Sequence, residues 1–434
     1  MMLHIGFVLP PDIGNFKPFR SQPLTSLYLL TILEEEFADK LDLSVIDLRG
    51  ISRENARYYL PERDVYFYTL MSQEYRNVCE VKDLLRSLYP EAVHVAGGVH
   101  VNLFQADNAK QFDSIVLGEG DETVVEIVKD ILNAELKPVY QNSEPVDINR
   151  YPCPDRKYIH LPAIVETELL TGENMDLPGT SVLFSRGCPF RCSFCANVNF
   201  GPTRFRTPEL IEREIEYLKK DYNVKALALK DDNAIPTNER IARPFLEAIG
   251  RTQVKWRGQS RANGISADIV KLAAEAGCTD IGIGIESVWP ETLKLINKKI
   301  KLEEAKQYIR ALRKYGIGAR LHLIFGLPGE PQDIVPRTLE FIEESEPSSV
   351  LLNLFCPLPG SDIATNPESY GIRNVSPDWH DYRNLYARFD GEEQPHMWFE
   401  YEETTPWGKS MSSERIIGNY SELQAILRER NLNF

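Results

Sequence analysis

The sequence predicts an α/β protein: an N-terminal doubly wound parallel sheet of Rossmann-like type, then a partial (β/α)6 TIM barrel, then a small, mostly helical C-terminal domain. Three observations carry this expectation. From residue 4 onward, short apolar runs alternate with longer stretches of helical period, the pattern that builds parallel sheets through helical crossovers. A proline-rich interval at 137–179 separates two such series, as a connecting segment does. The second series opens on a loop with three cysteines in eight residues, at the carboxyl end of a strand, where such folds keep their chemistry. The expected divisions are therefore 1–136, a linker at 137–179, 180–356 and 357–434.

In the first series, strands are expected at 4–9, 43–48, 64–68, 92–96 and 114–117, with helices at 23–37, 78–88 and 122–132. Their carboxyl ends carry Pro10-Pro11, Met71-Ser72, Gly97-Gly98 and Gly118-Glu119-Gly120. Glycines there let backbone approach a ligand, or simply make tight turns, and both readings stand. No G-x-G-x-x-G opens the first helix, so a dinucleotide site is not supported.

In the second series, strands are expected at 181–184, 226–229, 254–261, 280–286, 319–326 and 350–355. Thr207-Pro208-Glu209 starts the first helix with a capping hydroxyl, a proline and an acid. Asp231, Asp232, Arg261, Glu286, Arg320, His322 and Asn353 lie at the tops of these strands or within them. Polar residues in apolar strands line a wet cavity or form structural ion pairs, because burial without a partner is costly. Cys188, Cys192 and Cys195 form a C-x3-C-x2-C triad whose thiolates suit soft metals and iron–sulfur clusters. Structural zinc normally takes four protein ligands, and the next histidines are His160 and His322. On local grounds a cluster, zinc and chance packing all remain open. Cys79, Cys153, Cys278 and Cys356 read as small packed apolar residues. In the tail, Trp379, Tyr382, Trp398 and Tyr401 are candidates to line a substrate pocket, with core packing the competing reading.

Composition sets the outer limits. With 434 residues, 43% hydrophobic and 26% charged, the chain is long enough for two or three domains. A net charge of -15 argues against nucleic acid as the main partner. Seven cysteines with three clustered are not a disulfide framework, so a reducing cytoplasm is expected. No signal peptide and no membrane span are expected.

Taken together, the motifs resemble the radical S-adenosylmethionine (SAM) superfamily. Arg186-Gly187-Cys188-Pro189-Phe190-Arg191-Cys192-Ser193-Phe194-Cys195 matches its signature, and Asp231-Asp232-Asn233, Gly282-Ile283-Gly284-Ile285-Glu286-Ser287 and Gly326-Leu327-Pro328-Gly329-Glu330 follow in the family's order. The first third is similar to the cobalamin-binding domain of many such enzymes, through Pro23-Leu24-Thr25-Ser26-Leu27, Gly97-Gly98-Val99-His100 and Gly118-Glu119-Gly120-Asp121-Glu122. The D-x-H-x-x-G motif of other cobalamin proteins is absent, since Asp47-Leu48-Arg49-Gly50 has no histidine in its place. The N-terminal cysteine triad of methylthiotransferases is also absent, only Cys79 being present.

The resemblance implies a 4Fe–4S cluster on Cys188, Cys192 and Cys195, with SAM on its open iron. It implies that Asp231 and Asp232 meet the SAM ammonium, and Arg261, Glu286 and Arg320 its ribose and carboxylate. Cobalamin contacts are implied at Pro10, Ser26, Met71, Ser72, Gly97, Gly98, His100, Gly118, Glu119 and Gly120. The implied activity is hydrogen abstraction from an unactivated carbon by a 5′-deoxyadenosyl radical, then methyl transfer from methylcobalamin to a small-molecule substrate. A reductant such as flavodoxin or ferredoxin is the implied partner. The runner-up is ring contraction, cyclisation or another rearrangement; from a different class, a non-catalytic cobalamin- or metal-binding module.

Overall fold

In the computed structural model, described for residues 2–11, 18–19, 22–196, 201–378 and 395–433, the chain divides into two compact units, Met1–Glu166 and Thr167–Phe434. No helix among the described residues is long and apolar enough to cross a membrane.

The first unit runs β1 (Leu3–Leu9), α1 (Leu24–Phe37), β2 (Leu41–Asp47), β3 (Val65–Thr69), α2 (Tyr75–Leu88), β4 (Val93–Gly97), α3 (Val99–Leu103), α4 (Gln105–Gln111), β5 (Ser114–Leu117), α5 (Thr123–Leu132), β6 (Val139–Gln141) and α6 (Leu161–Ile164). The strands are all parallel, in the order β2-β1-β3-β4-β5-β6. The order reverses at β1 and β3, and the crevice beyond the carboxyl ends there is where doubly wound sheets bind ligands. Helices cover both faces, so the interior strands β3 and β5 are almost wholly buried, while the edge strand β2 is mostly half-buried. Phe7, Phe67, Leu30 and Val124 form the core on one face, and Tyr68, Val78, Leu85 and Phe112 on the other.

The expected linker at 137–179 is used differently. Val139–Gln141 adds a sixth strand to the first sheet, and Tyr140 and Tyr151 sit in its core. The fully buried Arg156 donates to Pro154 O at 2.5 Å and to Gln22 Oε1 at 3.3 Å. The division therefore falls after Glu166. A three-residue edge strand between prolines has too short a pattern to register in the sequence.

The second unit runs β7 (Gly179–Val182), β8 (Ser185–Arg186), β9 (Arg204–Phe205), α7 (Pro208–Tyr222), β10 (Ala226–Leu229), α8 (Glu239–Arg251), β11 (Lys255–Arg261), α9 (Ala267–Glu275), β12 (Cys278–Glu286), α10 (Pro290–Leu295), α11 (Leu302–Lys314), β13 (Gly318–Phe325), α12 (Ile334–Ser345), β14 (Ser349–Leu354), α13 (Asp362–Thr365) and α14 (Ser413–Glu429). Thr207 caps α7, its hydroxyl accepting from Leu210 N–H. Six parallel strands lie in sequential order β7-β10-β11-β12-β13-β14, with β7 and β14 at the two edges of an open barrel. Among the described residues of 357–434, α14 packs against β14 beside α12, and Val350 N–H donates to Leu432 O at 2.7 Å, within the second compact unit.

Alternation along the strands sorts the two faces. Trp256, Ile281, Ile283, Leu321, Leu323 and Leu352 are buried beneath the helices. The alternate residues form polar, glycine-rich rows across the inner face: Arg257 beside Asp280 beside Gly318; Gln259, Gly282, Arg320 and Ser349; Arg261, Gly284, His322 and Leu351.

Candidate functional site

The cysteine loop leaves β7 through the fully buried Phe184 and is closed by the antiparallel pairing of β8 with β9. Asp231, just beyond β10, fixes its entry by accepting from Phe184 N–H at 3.2 Å and from the Ser185 hydroxyl at 2.5 Å. Burial pushes the Asp231 carboxyl up to about 7. Further along, Cys195 N–H donates to Cys192 O at 3.0 Å, Ser193 N–H to Ile296 O at 2.9 Å, and Ile363 N–H to Ser193 O at 3.0 Å. Asn297 Nδ2 donates to Arg191 O at 2.5 Å. The loop is thus pinned to the segments that follow β12 and β14.

Cys192 is buried, while Cys188 and Cys195 are half-buried. Asn233 Nδ2 lies 3.8 Å from Cys188 Sγ, and Arg261 Nη1 lies 3.5 Å from Cys192 Sγ. The Arg261 guanidinium also stacks on Phe190, 3.6 Å from the ring centroid. N–H groups aimed at sulfur are what hold and tune thiolate-bound clusters. Among the described residues, no three His, Cys, Asp or Glu side chains converge as a single-ion site requires. Three cysteines with no fourth cysteine or histidine near them in the sequence fit a cluster better than tetrahedral zinc.

Around the loop, Asn233 Oδ1, Arg261 Nε and His322 Nε2 are buried and make no hydrogen bond. Burial, reinforced by Arg320 and Lys298, pushes His322 down to about 3, so its ring is neutral. The ring occupies the space that Gly282 leaves open, since a Cβ there would stand 2.7 Å from Nε2. Glu286 sits at a β-bulge with φ 67° and pairs with Lys298 at 2.7 Å, both side chains nearly buried. The space at Gly282 and Gly284 is taken by the chain's own side chains, so it is the orphaned atoms that make the inner face a place to hold a polar cofactor such as SAM.

The predicted residues separate on inspection. The two acids point to different tasks: Asp231 is committed to the loop entry, whereas Asp232 is exposed and acts electrostatically on Cys188. Arg261 and Glu286 stand at the loop, but Arg320 is bound to Asp280 at 2.5 Å near the amino ends of β12 and β13, away from it. Asn353 lies on the inner face. Glu330 closes its own turn, accepting from Gly326 N–H at 2.8 Å, and Tyr401 donates to Gly326 O at 2.8 Å. Trp398 is buried against Cys356 and Leu358, so Trp398 and Tyr401 are structural; Trp379 and Tyr382 lie outside the described residues. Sequence reasoning missed Lys298, whose only signal was a position in a lysine-rich stretch after α10.

In the first unit, Gly98 (φ 100°) would place a Cβ 2.8 Å from Leu70 N, and Gly118 (φ 89°) one 2.0 Å from Asn142 O. The close approach these glycines permit is therefore made by the chain itself. His100 is buried, its Nδ1 3.1 Å from Ser72 Oγ and its ring against Tyr75 and Phe104. Burial pushes it down to about 4. Glu119 accepts from Val146 N–H at 2.9 Å. Pro10 and Ser26 are buried, Gly97 and Gly120 half-buried, and Met71 and Gly118 exposed. Arg49, in the place of the missing histidine, is held to Asp47 by two hydrogen bonds of 2.9 and 2.8 Å.

Residues 182–342 match the model of the Radical SAM superfamily. The chain is 26% identical to an uncharacterised methyltransferase of Pyrococcus horikoshii, over 88% of this chain and 87% of that one. It is 22% identical to bacteriochlorophyllide d C-8(2)-methyltransferase of Chlorobaculum tepidum, over 90% and 85% respectively. Among solved structures it resembles the radical S-adenosylmethionine methyltransferase TsrM from Kitasatospora setae, at 16% identity and TM-score 0.71 over 98% of this chain and 89% of that one. With the cysteine loop at the head of the matched region and the later motifs in order behind it, residues 182–342 carry a radical SAM domain.

Proposed function

We propose that this chain is a cobalamin-dependent radical SAM enzyme that methylates a carbon of a small metabolite in a reducing cytoplasm, taking electrons from a flavodoxin- or ferredoxin-like donor. The observation that carries the reading is the joint presence of both parts: a cysteine loop on an open six-stranded barrel, and a doubly wound sheet of order 2-1-3-4-5-6 that precedes it in the sequence. The fold shared with TsrM, whose structure has cobalamin and a 4Fe–4S cluster bound, and the methyltransferase relatives support the same reading.

When bound, the cluster supplies the electron that cleaves SAM, and cobalamin supplies a transferable methyl group. The chain's own residues bind and orient. Cys188, Cys192 and Cys195 hold the cluster, with Arg261 and Asn233 donating toward two of the sulfurs. Asp232, exposed beside Cys188, is the acid placed to accept from the SAM ammonium. Glu286 is the candidate for the ribose, and His322 and the free edge of Arg261 offer further hydrogen bonds along the inner face. In the first unit, Met71, Gly97 and Gly120 at the carboxyl ends remain candidates for cobalamin.

The test is anaerobic reconstitution with iron and sulfide, reduction, and addition of SAM and methylcobalamin. 5′-Deoxyadenosine together with S-adenosylhomocysteine is the expected pair, the second arising as cobalamin is remethylated. Deoxyadenosine without S-adenosylhomocysteine would favour rearrangement. Neither product, from protein with a full cluster, would leave only a binding module.

A further inference from the structure

We infer that the lysine-rich segment after α10 is the docking face for an acidic one-electron donor protein, which delivers its electron at the outer side of the cysteine loop. This rests on the cluster reading above and adds the surface through which the cluster is reduced.

The chain is strongly acidic, with a net charge of -15, yet residues 292–302 hold four lysines and no acid. Lys298 turns inward to Glu286. Lys294, Lys299 and Lys301 are exposed, and among the described residues Lys301 alone of the three is tied to a carboxylate, that of Glu304 at 2.7 Å. They line a hollow of about 560 Å³ together with Leu293, Ile300 and Leu302, and Glu303 is the one acid in its lining. Apolar side chains set among lysines suit a protein that presents its cofactor within a ring of carboxylates, and such a charge pattern speeds encounter over a neutral surface.

The placement gives the patch its meaning. Exposed Arg191 precedes Cys192 in the loop, and its carbonyl is held by Asn297 from within the lysine segment. Ser193 N–H is bonded to Ile296 O. The guanidinium of Arg261 spans from Lys299 O, at 3.4 Å, to Cys192 Sγ, at 3.5 Å. A donor seated on the lysines is thus two hydrogen bonds from a cluster ligand. Its reduced cofactor gives up one electron, and the cluster held by Cys188, Cys192 and Cys195 takes it up, with no bond made or broken at the interface.

The experiment compares the reconstituted wild type with K294E/K299E, two exposed lysines that form no ion pair among the described residues. The control, K225E/K255E, makes the same charge change at the opposite end of the sheet, at the exposed lysines entering β10 and β11. Cluster bleaching in the visible band is followed by stopped flow, with a reduced acidic two-iron ferredoxin and, separately, with dithionite. Ferredoxin binding is read from fluorescence anisotropy. At low ionic strength, reduction by ferredoxin should slow about 10-fold or more in K294E/K299E, with weaker binding and a flattened salt dependence. The control should match wild type, and dithionite should reduce all three alike. Equal ferredoxin rates in the three proteins, or equal losses in both variants, would overturn the docking face. Protein that binds no iron and shows nothing for dithionite to bleach would instead remove the cluster reading, and the docking face with it.

Discussion

Gly284→Ala tests how the inner face is built. An added Cβ would stand 2.4 Å from Glu286 Oε1 and 2.8 Å from Lys298 Nζ, inside any relaxed contact. Side-chain ends normally swing away cheaply, but these are joined at 2.7 Å with side chains only 11% and 6% exposed. Separating a buried pair costs about 3–5 kcal/mol, because each charge is left without its partner. Sliding the pair intact costs the roughly 1–3 kcal/mol of an overpacked site. The expected loss is therefore about 3 kcal/mol, read from urea unfolding of the second unit. In an E286L/K298M background the added methyl meets apolar chain ends, and Gly284→Ala should cost about 1 kcal/mol or less. The cycle then gives a coupling of about 2 kcal/mol, well above the error of additive sites. A cost independent of background would refute the claim that this glycine exists to admit the ion pair.

Other perturbations follow from the same geometry. Gly118→Ala, facing Asn142 O at 2.0 Å with φ 89°, should destabilise the first unit by more than about 2 kcal/mol in thermal unfolding, whereas Gly120→Ala, in ordinary contact with Leu29, should stay within about 0.5 kcal/mol. Burial raises the Glu330 carboxyl from 4.5 to about 8, so the folded protein holds a proton there that the unfolded chain releases. That contribution is full below pH 4.5 and is lost as pH rises toward 8, and Glu330→Gln should flatten this part of a stability-versus-pH curve. Asp280→Asn should cost about 3–5 kcal/mol by leaving the buried Arg320 charge underpaired, while D280L/R320L should come close to wild type in the same urea titration.

Much of the fold was legible because periodicity and punctuation agreed. Thr207-Pro208-Glu209 marked a helix start, and the apolar runs at 226–229 and 114–117 became fully buried strands. The cysteine loop was legible for a different reason: ligand spacing is a local property, and residues 188–195 carry it whole. The sixth strand of the first sheet was not, since Val139 and Tyr140 make too short a run to outweigh the prolines around them. Nor was the fate of the polar residues. Arg320 and Arg261 look alike in sequence, each a cation in a strand, but three residues into β13 the first meets Asp280, and at the carboxyl end of β11 the second meets Cys192. Gly98 and Gly118 show the same limit, because a chain that must pass close to itself and a chain that must pass close to a ligand both select glycine.

What separates binding residues from scaffolding in this protein is hydrogen-bond closure. Asp231, Glu119 and His100 were all plausible ligand contacts, and each spends polar atoms on the chain that positions it. Asn233, Arg261 and His322 are different: each keeps a buried nitrogen or oxygen that bonds to nothing in the protein. Such an atom costs about 1–3 kcal/mol for as long as it stays unpaired. Two of these three also reach toward a cluster cysteine with their other end. A ligand that pairs those atoms is therefore bound partly by relief of a cost already present in the free protein. Orphaned atoms occur elsewhere too, as at His94 and Asn108, but beside the cysteine loop two of the residues that carry them also face cluster cysteines, and this makes that part of the inner face, rather than the glycine turns, the firmest mark of a cofactor site among the described residues.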